Sequence, residues 1–431
     1  MRVGHGSALL PVADGSAMGG YVDRPGPSSG VLDELQVDCL TVRGAGGRLV
    51  LVVAEVVCVN VDLAAQVRRC VREALAGAGG PVVDVWACAT HTHSGPDVGC
   101  VAGGGPTPVA WRRRIADAAV EAARAAVAAE RECAGRLHAG ELRDVGSQRG
   151  HEGAEHRVSV DVVSCIDADG VVDGVLAVVP VHPTVLPAGS TLVSGDLVAA
   201  IRAALRRRLA SPHTPWVVVA TGAAGDISTR RTRRGQTPEE CRRLGDRAAE
   251  QIVTLMRTAP TNVWDAATDD CSSRRRKVAM PVRRQDPADL EALRETLEAR
   301  HAAQLRDGAT ASARSLETAL QGVEVARSHD GWAGPDAIDV SLSAARLGRL
   351  CLFGIGAEPF HSLSDDLRSR CADPAVALGY VNGHVGYLPD EDAYSEPAYE
   401  VLSSPLPRDA AATAVASLLD LLPDPTPRRT E

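Results

Sequence analysis

Short apolar runs that each lead into a residue capable of chemistry constrain this chain more than any single motif. Residues 82–88 run into His91 and His93, the second half of 157–180 into His182, and residues 215–220 into Asp226 and Ser228. Residues 347–356 lead to Glu358, and residues 375–381 lead, a few positions on, to Tyr387. In α/β proteins, loops converge at strand ends while the sheet holds them rigid, so five such loops can share one pocket. Helical composition separates the runs, with helices expected near 62–76 behind an Asp62 cap, 109–132, 196–209, 238–256 and 408–422. Strands at 35–42 and 48–59 join through Gly44-Ala-Gly-Gly47, and Asp167-Ala-Asp-Gly170 closes a hairpin within 157–180. Alternating strands and helices with hairpins give the expected fold class, α/β with a mixed β-sheet core flanked by helices. Residues 4–24 are Gly-rich and read as an ordered loop that lines something. Residues 286–329 read as a helical hairpin that projects from the body as a surface excursion, or as an arm for a homo-oligomer.

Composition excludes several classes. The net charge of -9 leaves no broad basic footprint for nucleic acid. Only 2 Phe, 5 Tyr and 5 Trp occur in 431 residues, so aromatic stacking platforms are scarce and Ala and Val make up the apolar excess. The first 30 residues lack a basic start and an apolar core, and no apolar run is long enough to span a bilayer, so a cytoplasmic protein without a stable membrane anchor is expected. The 11 cysteines are dispersed without a CxxC pair and read as reduced thiols of the core.

Side chains two apart in an extended segment share a face, so His91 and His93 are expected to leave their strand side by side, with Ser94-Gly-Pro96 turning the chain at a rim. Two imidazoles, a carboxylate and a tyrosine offer nitrogen and oxygen ligands in the number zinc prefers, with a position left for water. Taken singly, His182 also reads as a core histidine and Glu358 as a carboxylate at a helix start. His361 and His384 have no motif around them and read as surface or supporting residues. Asp226 reads as a loop-fixing residue rather than a triad acid, and Gly-x-x-Gly-Asp-x-Ser is not a nucleophile elbow.

Taken in order, these segments resemble the catalytic domain of neutral/alkaline ceramidases, zinc amidases that cleave the N-acyl bond of ceramide. Thr90-His-Thr-His-Ser-Gly-Pro96 resembles the first zinc motif, which makes His91 a ligand and turns His93 toward substrate. Val181-His-Pro-Thr184 with Ser194-Gly-Asp196 resembles the second, which makes His182 a ligand and Asp196 a cap or supporting group. Glu358 in Gly356-Ala-Glu-Pro-Phe360 and Tyr387 in Gly386-Tyr387 match the remaining ligands. Gly225-Asp-Ile-Ser228 resembles the segment with the essential serine, Tyr399 falls where a second site tyrosine belongs, and Arg149 matches a site arginine. The resemblance implies one catalytic Zn2+, a small-molecule amide substrate, and a single hydrolase domain over 1–422. A disordered tail at 423–431 would then end the chain, with no C-terminal β-sandwich.

The chain departs from the family after Ser228, where Arg230 and Arg231 begin a run of four arginines in five positions. Guanidinium groups there suit an acidic substrate group, whereas the plainer reading is a solvated loop neutralised by Glu239 and Glu240. The expected function is zinc-dependent amidohydrolysis of a polar or acidic amide by metal-activated water. His93, Tyr399 and Arg149 would stabilise the oxyanion, and Ser228 would act either as nucleophile or as the group that positions water. A zinc esterase, lactonase or acyl-transfer enzyme fits the same residues, and a non-catalytic metal-binding scaffold is the reading from another class.

Overall fold

A computed structural model describes residues 1–149, 156–209, 214–265, 270–307, 310–330 and 336–424. The tail expected at 423–431 therefore lies outside the described residues except for its first two.

Three mixed sheets share one core. The first has the order Val82–Ala89, Gly47–Ala54, Gln36–Gly44, Arg2–Leu9 and Arg131–Glu132. The second runs Trp216–Thr221, Val172–Val179, Arg157–Ile166, Ala134–Arg143 and Thr261–Trp264, and the third runs Cys271–Pro281, Ala337–Leu347, Leu350–Ile355 and Ala375–Leu378. Leu51 and Trp86 from the first sheet, Leu176 and Val218 from the second, and Leu352 and Leu378 from the third all belong to a single buried cluster. Alternate residues of the same strands face outward and are covered by helices. Val61–Ala74 and Val109–Ala128 cover the first sheet, Asp196–Arg208 and Pro238–Leu255 the second, and His361–Arg370 and Ala410–Leu421 the third.

Each sheet is antiparallel except at one edge. There Val82–Ala89 lies parallel to Gly47–Ala54, Trp216–Thr221 to Val172–Val179, and Ala375–Leu378 to Leu350–Ile355. The carboxyl ends of these parallel edges come together. Ala89 N donates to Tyr380 O at 3.1 Å, Thr221 Oγ1 to Thr90 O at 2.7 Å, and Gly379 N to Thr221 O at 3.2 Å. Strand ends from all three sheets are thus hydrogen-bonded into one floor, the usual place for a site in an open sheet.

Several expected elements differ. Residues 2–9 form a strand rather than loop, because Gly4 and Gly6 allow the helix Val109–Ala128 to lie directly on the backbone. A Cβ at Gly4 would stand 2.0 Å from Ala126 O. The expected strand 48–59 stops at Ala54, and the next residues become a loop whose carbonyls hold His91. The helix expected from Asp62 starts at Val61 with Asn60 as its N-cap, and Asp62 instead accepts from Thr107 and Arg112.

The helical hairpin is present as Pro287–Arg306 and Thr310–Asp330. It does not stand free of the body. Its buried Leu290, Leu297, Ala319, Val323 and Ala326 cluster with Leu402 of the short helix Tyr399–Leu402, and Gly322 lets the two helices approach until a Cβ would be 3.0 Å from Tyr399 Cα. Gln321 Nε2 donates to Asp23 at 2.9 Å, which joins the hairpin to the Gly-rich N-terminal loop. Among the described residues, no helix is long and apolar enough to cross a membrane.

Candidate functional site

His91, His93 and His182 come together, though not by strand alternation. The strand ends at Ala89 and His91 is left-handed (φ 65), so the period-of-two reading does not apply. The chain instead turns at His91, and the His93 and His91 Nε2 atoms lie 3.2 Å apart. Three further positive φ values, at Asp196 (51), Tyr380 (61) and Asn382 (60), occur in the segments around the same floor. Such strain concentrates at functional sites, where surrounding contacts over-determine the backbone.

The hydrogen bonds decide which imidazole nitrogens are bare. His91 Nδ1 lies 2.6 Å from Val57 O and His182 Nδ1 lies 2.7 Å from Ala224 O. A carbonyl only accepts, so both Nδ1 atoms carry the proton and both Nε2 atoms present lone pairs. Those two Nε2 atoms are 2.9 Å apart, and Glu358 Oε2 sits 3.1 Å from one and 3.3 Å from the other. Glu358 Oε2 is buried and has no hydrogen-bond donor. Three acceptors facing one another in a dry interior repel unless a cation lies between them. Burial, then Arg149 and His91, push His182 down to about 3, so its imidazole stays neutral. His93 completes a group of three histidines whose ligand atoms lie within 4.8 Å of one another. Nitrogen and carboxylate donors of this kind suit zinc.

The remaining expected residues surround this centre. Tyr387 stacks on His182 with ring centroids 6.3 Å apart and meets Tyr399 edge-on at 6.0 Å. Burial, then Glu358, raise the Tyr387 phenol well above its ordinary range, so it stays protonated in the absence of a cation. Arg149 donates to Tyr387 Oη at 3.3 Å and to Glu400 Oε1 at 2.5 Å. Ser228 is buried, and its short strand pairs with Ser147–Gln148 while its backbone bridges to His182. Asp226 pins this loop by accepting from His361 N at 2.7 Å and Gln148 Nε2 at 3.2 Å, the loop-fixing part expected of it. Asp196 likewise accepts from the backbone of Val185, Leu186 and Leu197, which ties the His182 loop to the helix start.

The arginine run divides its tasks. Arg231 reaches Arg149 O at 3.4 Å and Arg233 reaches Thr184 O at 2.6 Å, both within the segments that build the site. Glu239 pairs with Arg242 and Glu240 with Arg243, and Glu240 Oε1 also accepts from Arg234 N of the run at 2.7 Å. Arg230 is half-buried next to Ser228.

Sequence reasoning missed Tyr380, which stacks on His91 with centroids 4.2 Å apart, although it too follows a strand end. It missed Glu400, the acid partner of Arg149, and it set aside His384, which is buried with Nε2 3.8 Å from Glu358 Oε1. The N-terminal loop does line the site. Tyr21 meets His93 edge-on at 4.9 Å, its hydroxyl donates to Leu186 O at 2.7 Å, and Arg24 lies 5.0 Å over its ring while donating to His93 O. Gly20 (φ +94) touches the His93 backbone so closely that a Cβ would stand 2.6 Å from His93 Cα. Gly20→Ala is therefore expected to cost about 1–3 kcal/mol of stability and to shift His93, lowering turnover. Urea denaturation beside a rate assay checks this, and an unchanged midpoint and rate would show that the loop yields freely.

The architecture and this cluster define an α/β protein with a buried metal-capable site at converging strand ends. Its fold is that of neutral ceramidases. A ceramidase solved in complex with C2 superposes with a TM-score of 0.74 at 18% identity, covering 97% of this chain and 74% of the other. The neutral ceramidase from Pseudomonas aeruginosa gives the same score and identity, covering 99% and 75%. No protein-family model matches the chain, nor does any curated protein sequence.

Proposed function

We propose that the protein is a zinc-dependent amidohydrolase that cleaves the N-acyl bond of a small or medium polar amide bearing a negative charge. One observation carries the reading: the bare Nε2 atoms of His91 and His182 and the donor-less Glu358 Oε2 converge within 3.3 Å. With His91, His182, Glu358 and Tyr387 as its holders, a zinc ion would supply Lewis-acid polarisation of a carbonyl and acidify water. The chain supplies the rest. Arg149, ion-paired with Glu400, and Tyr399, kept protonated by burial, are donors for a developing oxyanion. His93, held neutral by burial and by the neighbouring imidazoles, is a proton acceptor at the pocket wall. Ser228, next to His182, either attacks the carbonyl or positions water.

The preference for an acidic substrate rests on Arg230, whose N donates to Ser228 Oγ at 3.4 Å, on Arg231, which reaches Arg149 O at 3.4 Å, and on Arg24, 5.0 Å over the Tyr21 ring. Guanidinium groups bind carboxylates in bidentate fashion. A panel of N-acyl compounds, with matched esters, tests the reading on protein that is zinc-loaded and on protein stripped by chelation. Acidic amides are expected to turn over at least about tenfold faster than ceramide, only with metal present, which corresponds to about 1.4 kcal/mol of selectivity. Equal rates on ceramide would remove the acidic-substrate reading, and faster hydrolysis of esters alone would replace amidase with esterase.

A further inference from the structure

The edge strands of the first and third sheets, Val82–Ala89 and Cys271–Pro281, meet in a seam that amide hydrolysis does not use. Trp86 Nε1 donates to Ser273 Oγ at 3.2 Å, and Ser273 Oγ donates to Asp84 Oδ2 at 3.3 Å. Asp84 is buried, and three guanidinium groups converge on it. Arg275 Nε lies 3.0 Å from its Oδ2, while Arg72 Nη2 and Arg68 Nε lie 3.6 and 3.7 Å from its Oδ1. Arg68 and Arg72 stand four apart on the helix Val61–Ala74 and so share one of its faces. Ser273 and Arg275 alternate along their strand, which turns both toward the seam and leaves Arg274 and Arg276 exposed on the opposite face. Arg72 is anchored by donating to Val82 O and Val83 O, both at 2.9 Å, and Arg68 by donating to Asn382 Oδ1 at 3.2 Å. These two forks are held before any ligand arrives, so binding would immobilise little that is not already fixed.

We propose that Arg68, Arg72 and Arg275 form a binding site for a phosphate dianion at this seam, outside the metal centre. One carboxylate among three guanidinium groups leaves two positive charges uncompensated, in a chain whose net charge is -9. Among the described residues no other carboxylate pairs with any of the three. Arg68 Nε is buried without a hydrogen-bond acceptor, so Asp84 does not satisfy it. Burial, then Arg275, pull the Arg68 guanidinium down to about 10, which reflects like charges held together. Guanidinium forks take phosphate oxygens in bidentate fashion, and a dianion matches the two uncompensated charges. The Arg68 side chain is 17% exposed against 40% for Arg72 and 38% for Arg275. The three therefore outline a recess rather than a flat patch, which suits soluble phosphate or a phosphate monoester better than a membrane surface.

The test is calorimetric titration of the zinc-loaded protein with inorganic phosphate at constant ionic strength. Saturable binding is expected, weakened at least about tenfold by Arg275→Gln and by Arg72→Gln, since each removes a charge-assisted hydrogen bond. Thermal unfolding in chloride checks that both variants are folded, and Arg275, exposed at the rim, is the position where the fold depends least on the side chain. Arg274→Gln removes the same charge from the opposite face and is expected to leave the affinity within about twofold. No saturable binding, or an equal loss in Arg274→Gln and Arg275→Gln, would overturn the proposal. Affinity unchanged in Arg275→Gln would place the phosphate elsewhere, at the metal centre for instance, and overturn it too. Capture by vesicles containing phosphatidic acid without binding of inorganic phosphate would replace it with a membrane-facing patch. The readout needs no substrate and the three arginines hold no metal, so the outcome is independent of the amidase reading.

Discussion

His182→Ala is expected to lose stoichiometric zinc and to lower amide turnover by at least about three orders of magnitude, since Lewis-acid stabilisation is worth several kcal/mol. His182 is the sharpest position because it is fully buried and its tautomer is fixed by Ala224 O, so nothing else can present a lone pair from that side. Elemental analysis of variant and wild type gives the first readout. Thermal unfolding gives a second that needs no substrate. At free zinc about 100 times its dissociation constant, binding to the native state alone adds about 2.7 kcal/mol, so the wild type melts higher with zinc and the variant does not. Full zinc occupancy in the variant would remove His182 from the ligand set. A folded wild type that takes up no metal would leave the ceramidase-like fold without its chemistry.

Arg149→Met is expected to destabilise the protein by about 3–5 kcal/mol, because Glu400 is then a buried carboxylate without a partner. Turnover is expected to fall by about a hundredfold, through loss of a donor beside Tyr387. The two effects separate when Glu400→Gln is added: the double variant regains most of its stability by urea denaturation and none of its turnover. Recovery of both would reduce Arg149 to a structural residue, and recovery of neither would mean that Glu400 has a task of its own at the site.

Much of this was legible in the chain. The apolar runs at 82–88, 157–180, 215–220 and 375–381 each became strands with shifts of a residue or a few, because burial on both faces needs continuous Val, Ala and Leu. Asp167 closed its hairpin as expected by accepting from Asp169 N and Val171 N. The strand at Arg2–Leu9 was not legible, since its glycines make sense only against a helix more than a hundred residues on. The strands Cys271–Pro281 and Ala337–Leu347 were also missed, the first because Arg274, Arg275, Arg276 and Lys277 are exposed in succession and leave no apolar alternation.

At the site, sequence alone determined which residue types are available and that they follow strand ends, because local pattern encodes strands and the strands carry their ends with them. It placed His91, His182, Glu358 and Arg149 in separate segments and Tyr387 and Tyr399 together in the loop after 375–381. Only the tertiary structure decided that Val57 O and Ala224 O accept from the Nδ1–H groups on the far side of two imidazoles and leave their near sides bare. Only it could turn a projecting hairpin into a support for Tyr399, or set Glu400 on Arg149. Those contacts join residues from tens to hundreds of positions apart, and carbonyls have no side-chain signature, so no local pattern carries them.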